Sequence, residues 1–184
     1  MSSRLRPIWN FLMTLLTKTN SMRILGIDPG LAQTGWGVVD IIDQRYRPVS
    51  FGVVTTATSQ DLGLRIHYIA SNIGRLAAEH EVVMVAMEDV FFTKNISSAI
   101  PVAKVIGAIM HQLAGQGLDV KMFSPPQIKT AVTGYGSAEK HQVQEMMRLM
   151  LDLKEIPKPN HSADALAVAV CCASYSSTER RLGG

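Results

Sequence analysis

Hydrophobic and polar positions alternate in two distinct ways along this chain. Short continuous apolar runs closed by turn residues read as buried strands, and apolar residues recurring every three or four positions read as helices. The run Ile24-Leu25-Gly26-Ile27 stops at Asp28-Pro29-Gly30 and predicts a strand over 23–28. Positions 34–42 and 46–55 are rich in β-formers and flank a turn at Asp43-Gln44, so the first three strands form a predicted antiparallel meander. Leu62, Ile66, Ile69, Ile73, Leu76 and Ala77 share one stripe of a helix over 62–79. Positions 82–87 are apolar without a break and end at Glu88, which suits a parallel strand covered on both faces.

Further helices are predicted over 97–113, with Pro101 in its first turns, and over 125–132, 138–153 and 162–174. A short fifth strand is predicted over 118–123. Gly134-Tyr135-Gly136 reads as a loop, and Pro157-Lys158-Pro159 as a linker. The order predicts an α/β fold: a five-stranded mixed sheet, made of the meander plus two parallel strands, with helices on both faces.

With 184 residues and 47% hydrophobic side chains, the chain suits one domain with a sizeable core. The 18% charged content excludes a disordered polymer. A formal charge of +3 permits nucleic-acid binding without demanding it. The only cysteines, Cys171 and Cys172, are adjacent and form no zinc spacing, which fits a reducing cytoplasm. No apolar run is long enough to span a bilayer, so no membrane association is expected. Arg4 and Arg6 precede an apolar stretch over 8–13, but Asn10 interrupts it and no small-residue cleavage site follows before Lys18. Residues 1–21 therefore read as an extension, disordered or preceding the true start at Met22. The domain spans 22–176, and 177–184 is a flexible tail.

The chemistry lies in the acids. Asp28 and Glu88 each close a strand, and if those strands are parallel neighbours both carboxylates emerge at one sheet edge, where open α/β sheets place their sites. Asp164 and His161 are three apart on the last helix and share a face. Placed in the first turn, Asp164 would be kept ionised by the helix N-terminus. Three acids meeting at one point repel each other unless a cation joins them, and oxygen-rich sites suit Mg²⁺ or Mn²⁺. Taken singly, each group has an ordinary account. Asp28 before Pro-Gly reads as a turn residue, Glu88 as a partner for a lysine, Asp164 as a first-turn acid and His161 as a solvated linker residue. The chemical reading gains weight only from all four together.

Longer motifs go further. Residues 24–30 (Ile-Leu-Gly-Ile-Asp-Pro-Gly) with Thr34-Gly35-Trp36-Gly37-Val38 resemble the opening motif of the RuvC family of Holliday-junction resolvases. The likeness continues through Glu88-Asp89-Val90-Phe91 with Lys94-Asn95, and through Gly134-Tyr135-Gly136-Ser137-Ala138-Glu139-Lys140 with Gln142-Val143-Gln144. It closes at Ala163-Asp164-Ala165-Leu166-Ala167. The resemblance implies a ribonuclease H-like fold and a homodimer that makes paired nicks in four-way junction DNA during recombination and repair, leaving 5′-phosphate and 3′-hydroxyl ends. It implies Mg²⁺, with Mn²⁺ as a substitute and two ions per active site, and a branch-migration helicase complex as partner. By motif position Asp28, Glu88 and Asp164 are metal-binding carboxylates. His161 stands where many members carry a further Asp, as ligand or as general base. Lys129 and Lys140 match basic residues near the scissile phosphate, with Lys94 widening the positive surface, and Phe91 matches an aromatic that stacks on a base. Three departures stand out: Leu31-Ala32 follows Gly30 where the family shows Ser-Arg, Ile106 precedes Gly107 where an Arg is usual, and His161 replaces an acid.

Two other activities compete with this reading, a ribonuclease H-like nuclease acting on RNA–DNA hybrids or single strands, and a junction-binding protein without catalysis. A sugar-kinase-like phosphotransferase needs a second lobe, for which the chain has no room.

Overall fold

A computed structural model describes residues 21–90 and 96–182. Strand β1 (Met22–Asp28) is followed by β2 (Gln33–Ile42) and β3 (Arg45–Thr55). Asp43 and Gln44 take φ values of 51° and 64°, the geometry of a two-residue hairpin turn that matches the twist of its strands. Helix α1 (Leu62–Glu79) starts where the Asp61 carboxylate accepts from the backbone N–H groups of Gly63 and Leu64. Then come β4 (Met84–Glu88), α2 (Ile96–Ala114), β5 (Val120–Phe123), α3 (Pro125–Thr133), α4 (Lys140–Met150) and α5 (Asn160–Leu182). The sheet order is β3-β2-β1-β4-β5. It is antiparallel through the meander and parallel from β1 to β5, the mix of pairings that the sequence predicts.

The period of two along each strand sorts side chains between two cores. Leu25, Ile27, Val85 and Met87 face α1 and α2, packing with Ile69, Ile73, Val105 and Ile109. Ile24 and Ala86 face α5, packing with Leu166, Val170 and Met147. By the same alternation Gly26 and Asp28 on β1, and Glu88 on β4, fall on the α5 side.

Helix α5 is buried on every side from Ala165 to Cys172, as a helix apolar all round must be. It lies so close to the sheet that a Cβ at Gly26 would overlap the Ala165 carbonyl oxygen, and one at Gly35 the His161 carbonyl oxygen. Small residues on both elements thus bring the start of α5 against the ends of β1 and β2.

Several predicted boundaries shift. Helix α4 is shorter than 138–153, because Glu139 stands before its first turn with its N–H donating to Gln142 Oε1 at 2.8 Å, and Asp152 turns the chain with φ 52° at its end. Helix α5 begins at Asn160 rather than 162 and continues to Leu182, past the predicted end at 174 and through most of the predicted tail. Pro101 stands inside α2, in its second turn. Leu62, placed on the apolar stripe of α1, is 38% exposed at the first position of the helix. The extension predicted over 1–21 lies, apart from Ser21, outside the described residues. Among the described residues no helix is long and apolar enough to cross a membrane.

Candidate active site

Strands β1 and β4 are parallel neighbours, Ile27 lying beside Met87, so Asp28 and Glu88 emerge together at their carboxyl ends. Helix α5 crosses above this edge and delivers His161 and Asp164. The imidazole Nδ1 of His161 lies 2.6 Å from Oδ2 of Asp28. The Lys140 ammonium, at the start of α4, donates to Oδ2 of Asp164 at 2.7 Å. Asp28, His161 and Asp164 each offer a ligand atom within 4.8 Å of the other two. Glu88 is not one of that trio, but it lines the same open cleft of about 270 Å³ with Lys129, Lys140 and Asp164.

The charge state of this cluster is set by burial and crowding. Desolvation pushes the Glu88 carboxyl up to about 7, the negative charges of Asp28 and Asp164 push the same way, and Lys140 and Lys129 oppose them. Asp28 is also raised, first by burial and then by Asp164, although the hydrogen bond from His161 draws it down. Carboxyls held above their ordinary range by burial, and further by one another's charge, are a set that a cation relieves. Carboxylate oxygens and one imidazole make up a donor set that fits a divalent ion.

One expectation is corrected here. Asp164 does not lie in the first turn of its helix: α5 starts at Asn160 and its first turn holds no acid. The helix dipole acts mainly within that first turn. The positive charge that faces Asp164 is instead the Lys140 ammonium, paired with it at 2.7 Å. Lys129 lines the cleft, while Phe91 and Lys94 lie outside the described residues.

The structure also shows supports that sequence reasoning missed. The loop after Asp28 is held at three points. Thr34 Oγ1 donates to the Gly30 carbonyl at 2.6 Å, Thr56 Oγ1 to the Leu31 carbonyl at 2.5 Å, and the Arg65 guanidinium to both Thr56 Oγ1 (2.9 Å) and the Leu31 carbonyl (3.3 Å). A signal for this was legible, since Arg65 is a charged residue next to the apolar stripe of α1; in the structure it is only 8% exposed. Likewise Ser124-Pro-Pro-Gln127 is a capping-box pattern, and that box fixes the start of α3 and with it Lys129.

Residues 24–172 match the family model described as Crossover junction endodeoxyribonuclease RuvC. The chain belongs to the RuvC family. A curated relative of that name from Heliobacterium modesticaldum is 43% identical over 152 residues, covering 83% of this chain and 94% of the relative. One from Caldanaerobacter subterraneus is 39% identical over 162 residues, covering 88% and 98%. Among solved structures, Thermus thermophilus RuvC in complex with Holliday junction substrate superposes with a TM-score of 0.78 at 32% identity, covering 85% of this chain and 96% of that one. A yeast mitochondrial Holliday junction resolvase shares the fold at a TM-score of 0.65 and 11% identity, covering 87% and 82%.

Proposed function

We propose that this chain, a crossover junction endodeoxyribonuclease by family, cuts four-way DNA junctions at the cluster of Asp28, Glu88, His161 and Asp164. The observation that carries this reading is the convergence of Asp28, His161 and Asp164 within 4.8 Å, from elements far apart in sequence.

Asp28, His161 and Asp164 would hold a divalent ion, and Glu88, beside them in the cleft, gives a second ion a place. Mg²⁺ is the natural occupant of a carboxylate site, with Mn²⁺ better suited to the imidazole. Such ions supply Lewis acidity at the scissile phosphate. Lys140 and Lys129 line the cleft and offset the negative charge that builds on the phosphate during in-line attack. His161 has Nδ1 engaged with Asp28, which leaves Nε2 to meet the ion or to accept a proton from the attacking water. By motif position Phe91 and Lys94 would contact the four-way junction.

Resolving a junction takes two cuts, so two copies of the site must act together. The outer stripe of α2 is the surface we assign to the homodimer. Ile100 is 48% and Met110 40% exposed there, and Gly107, between them on the same stripe, faces open space. A branch-migration helicase is the partner that would supply such junctions, in the cytoplasm.

Side-by-side digestion tests the substrate. In Mg²⁺ the protein should nick a synthetic four-way junction and leave RNA–DNA hybrid and single strands intact. Equal cutting of the hybrid would favour a general ribonuclease H-like nuclease. Binding with no cutting in Mg²⁺ or Mn²⁺ would make it a non-catalytic junction binder.

A further inference from the structure

The connection between α3 and α4 holds an aromatic ring that the catalytic cluster does not use. Tyr135 is 64% exposed, yet its backbone is pinned. Its N–H donates to Thr133 Oγ1 at 3.2 Å, and its carbonyl accepts from the same hydroxyl at 3.0 Å and from the Ala138 N–H at 3.2 Å. The single Thr133 hydroxyl proton is shared between that carbonyl and the Lys129 carbonyl at 2.8 Å, which ties Tyr135 to the turn that carries a cleft lysine. Gly134, at φ 75°, closes α3 with its N–H on the Thr130 carbonyl.

Tyr135 lines a second hollow, of about 390 Å³, together with Thr133, His141, Gln142 and Met146. Lys140 lines the catalytic cleft and His141, the next residue, lines this hollow, so the two flank the first turn of α4. The acid at its rim, Glu145, is paired with Arg148 at 2.6 Å, which removes most of its repulsion toward a phosphate.

We propose that this hollow is a nucleotide subsite, in which Tyr135 stacks on a base beside the scissile phosphate while Gln142 and His141 face its sugar–phosphate backbone. This rests on the nuclease reading above. An exposed aromatic on a fixed loop loses little freedom on binding, which is what a stacking platform requires. Stacking on one aromatic strengthens binding of an unpaired base by roughly fivefold to a hundredfold. Such a site takes a nucleotide splayed from the duplex, as the strands at a junction's branch point allow.

The test uses four-way junctions carrying a single 2-aminopurine at each position flanking the mapped nick, in metal-free buffer so that no strand is cut. Wild-type protein should quench the probe at one such position. Tyr135→Ala should lose that quenching and bind the junction roughly fivefold or more weakly, while Tyr135→Phe keeps both. Thermal melts matching wild type would show that neither change disturbs folding. A Tyr135→Ala protein that quenches and binds like wild type overturns the subsite. A wild-type protein that fails to nick in Mg²⁺ overturns the nuclease reading instead, so the two failures are told apart.

Discussion

His161 Nδ1 and Asp28 Oδ2 stand 2.6 Å apart across 133 positions of sequence. The contact joins the last helix to the first strand, and it depends on both partners lying at the same sheet edge. Asp28 reaches that edge through the strand alternation that also sends Ile24 and Gly26 toward α5. His161 reaches it because Gly35 on β2 leaves room for its carbonyl.

Asp28→Asn should abolish nicking and spare junction binding. The amide keeps the size of the side chain, which is only 18% exposed, but removes the charge needed to hold a cation. Loss of one such electrostatic group costs roughly a hundredfold in rate or more. Gel-shift and nicking assays on one junction check it, and near-wild-type turnover would remove Asp28 from the site.

His161→Asp should keep nicking activity. Replacing the imidazole with a carboxylate should move metal preference from Mn²⁺ toward Mg²⁺, read as the ratio of nicking rates in the two ions. An inactive but folded variant would show that the imidazole carries a proton that an acid cannot.

Metal-free protein should lose stability as the pH rises. Folding raises Glu88 from 4.5 to about 7, so the folded state favours its neutral form. That contribution is complete below about pH 4.5 and is lost as the pH climbs through about 7. Asp28, raised for the same first reason, acts in the same direction. Thermal melts without metal should fall between pH 5 and 8, by an amount on the order of 1–3 kcal/mol. Mg²⁺ should restore most of the loss at pH 8 and little at pH 5, and Glu88→Gln should flatten the metal-free profile. A flat wild-type profile would mean that Glu88 is not crowded.

Gly35→Ala should damage both fold and site. The added methyl meets the His161 carbonyl, a backbone atom that can move only if α5 shifts. Overpacking of this kind costs about 1–3 kcal/mol. The variant should melt lower and nick more slowly even where it is fully folded. Gly115→Ala, whose Cβ would meet nothing nearer than 3.5 Å, is the control that should melt like wild type or slightly higher.

Much of this architecture was legible in the chain. The uninterrupted run over 82–87 announced a strand covered on both faces, and β4 is that strand. Asp43-Gln44 announced a hairpin. Asp28 and Glu88 could be placed at one edge because both close apolar runs. The period of two, running through Gly26 and Ala86, also puts them on one face. What the sequence hid depends on packing across long separations. Nothing local says that Lys140 pairs with Asp164, since the two meet only after α4 packs on α5. The start of α5 at Asn160 was obscured by the neighbouring Pro159, which suits a linker as well as the position before a helix. The length of α5 was hidden because its polar end, from Ser176 onward, carries no apolar period to extend.

The most direct measurement is anomalous diffraction from crystals of the protein soaked in Mn²⁺. The account predicts a peak in contact with Asp28, His161 and Asp164, lost in Asp28→Asn. An active protein with no peak at this cluster, or with its manganese bound elsewhere, would contradict it.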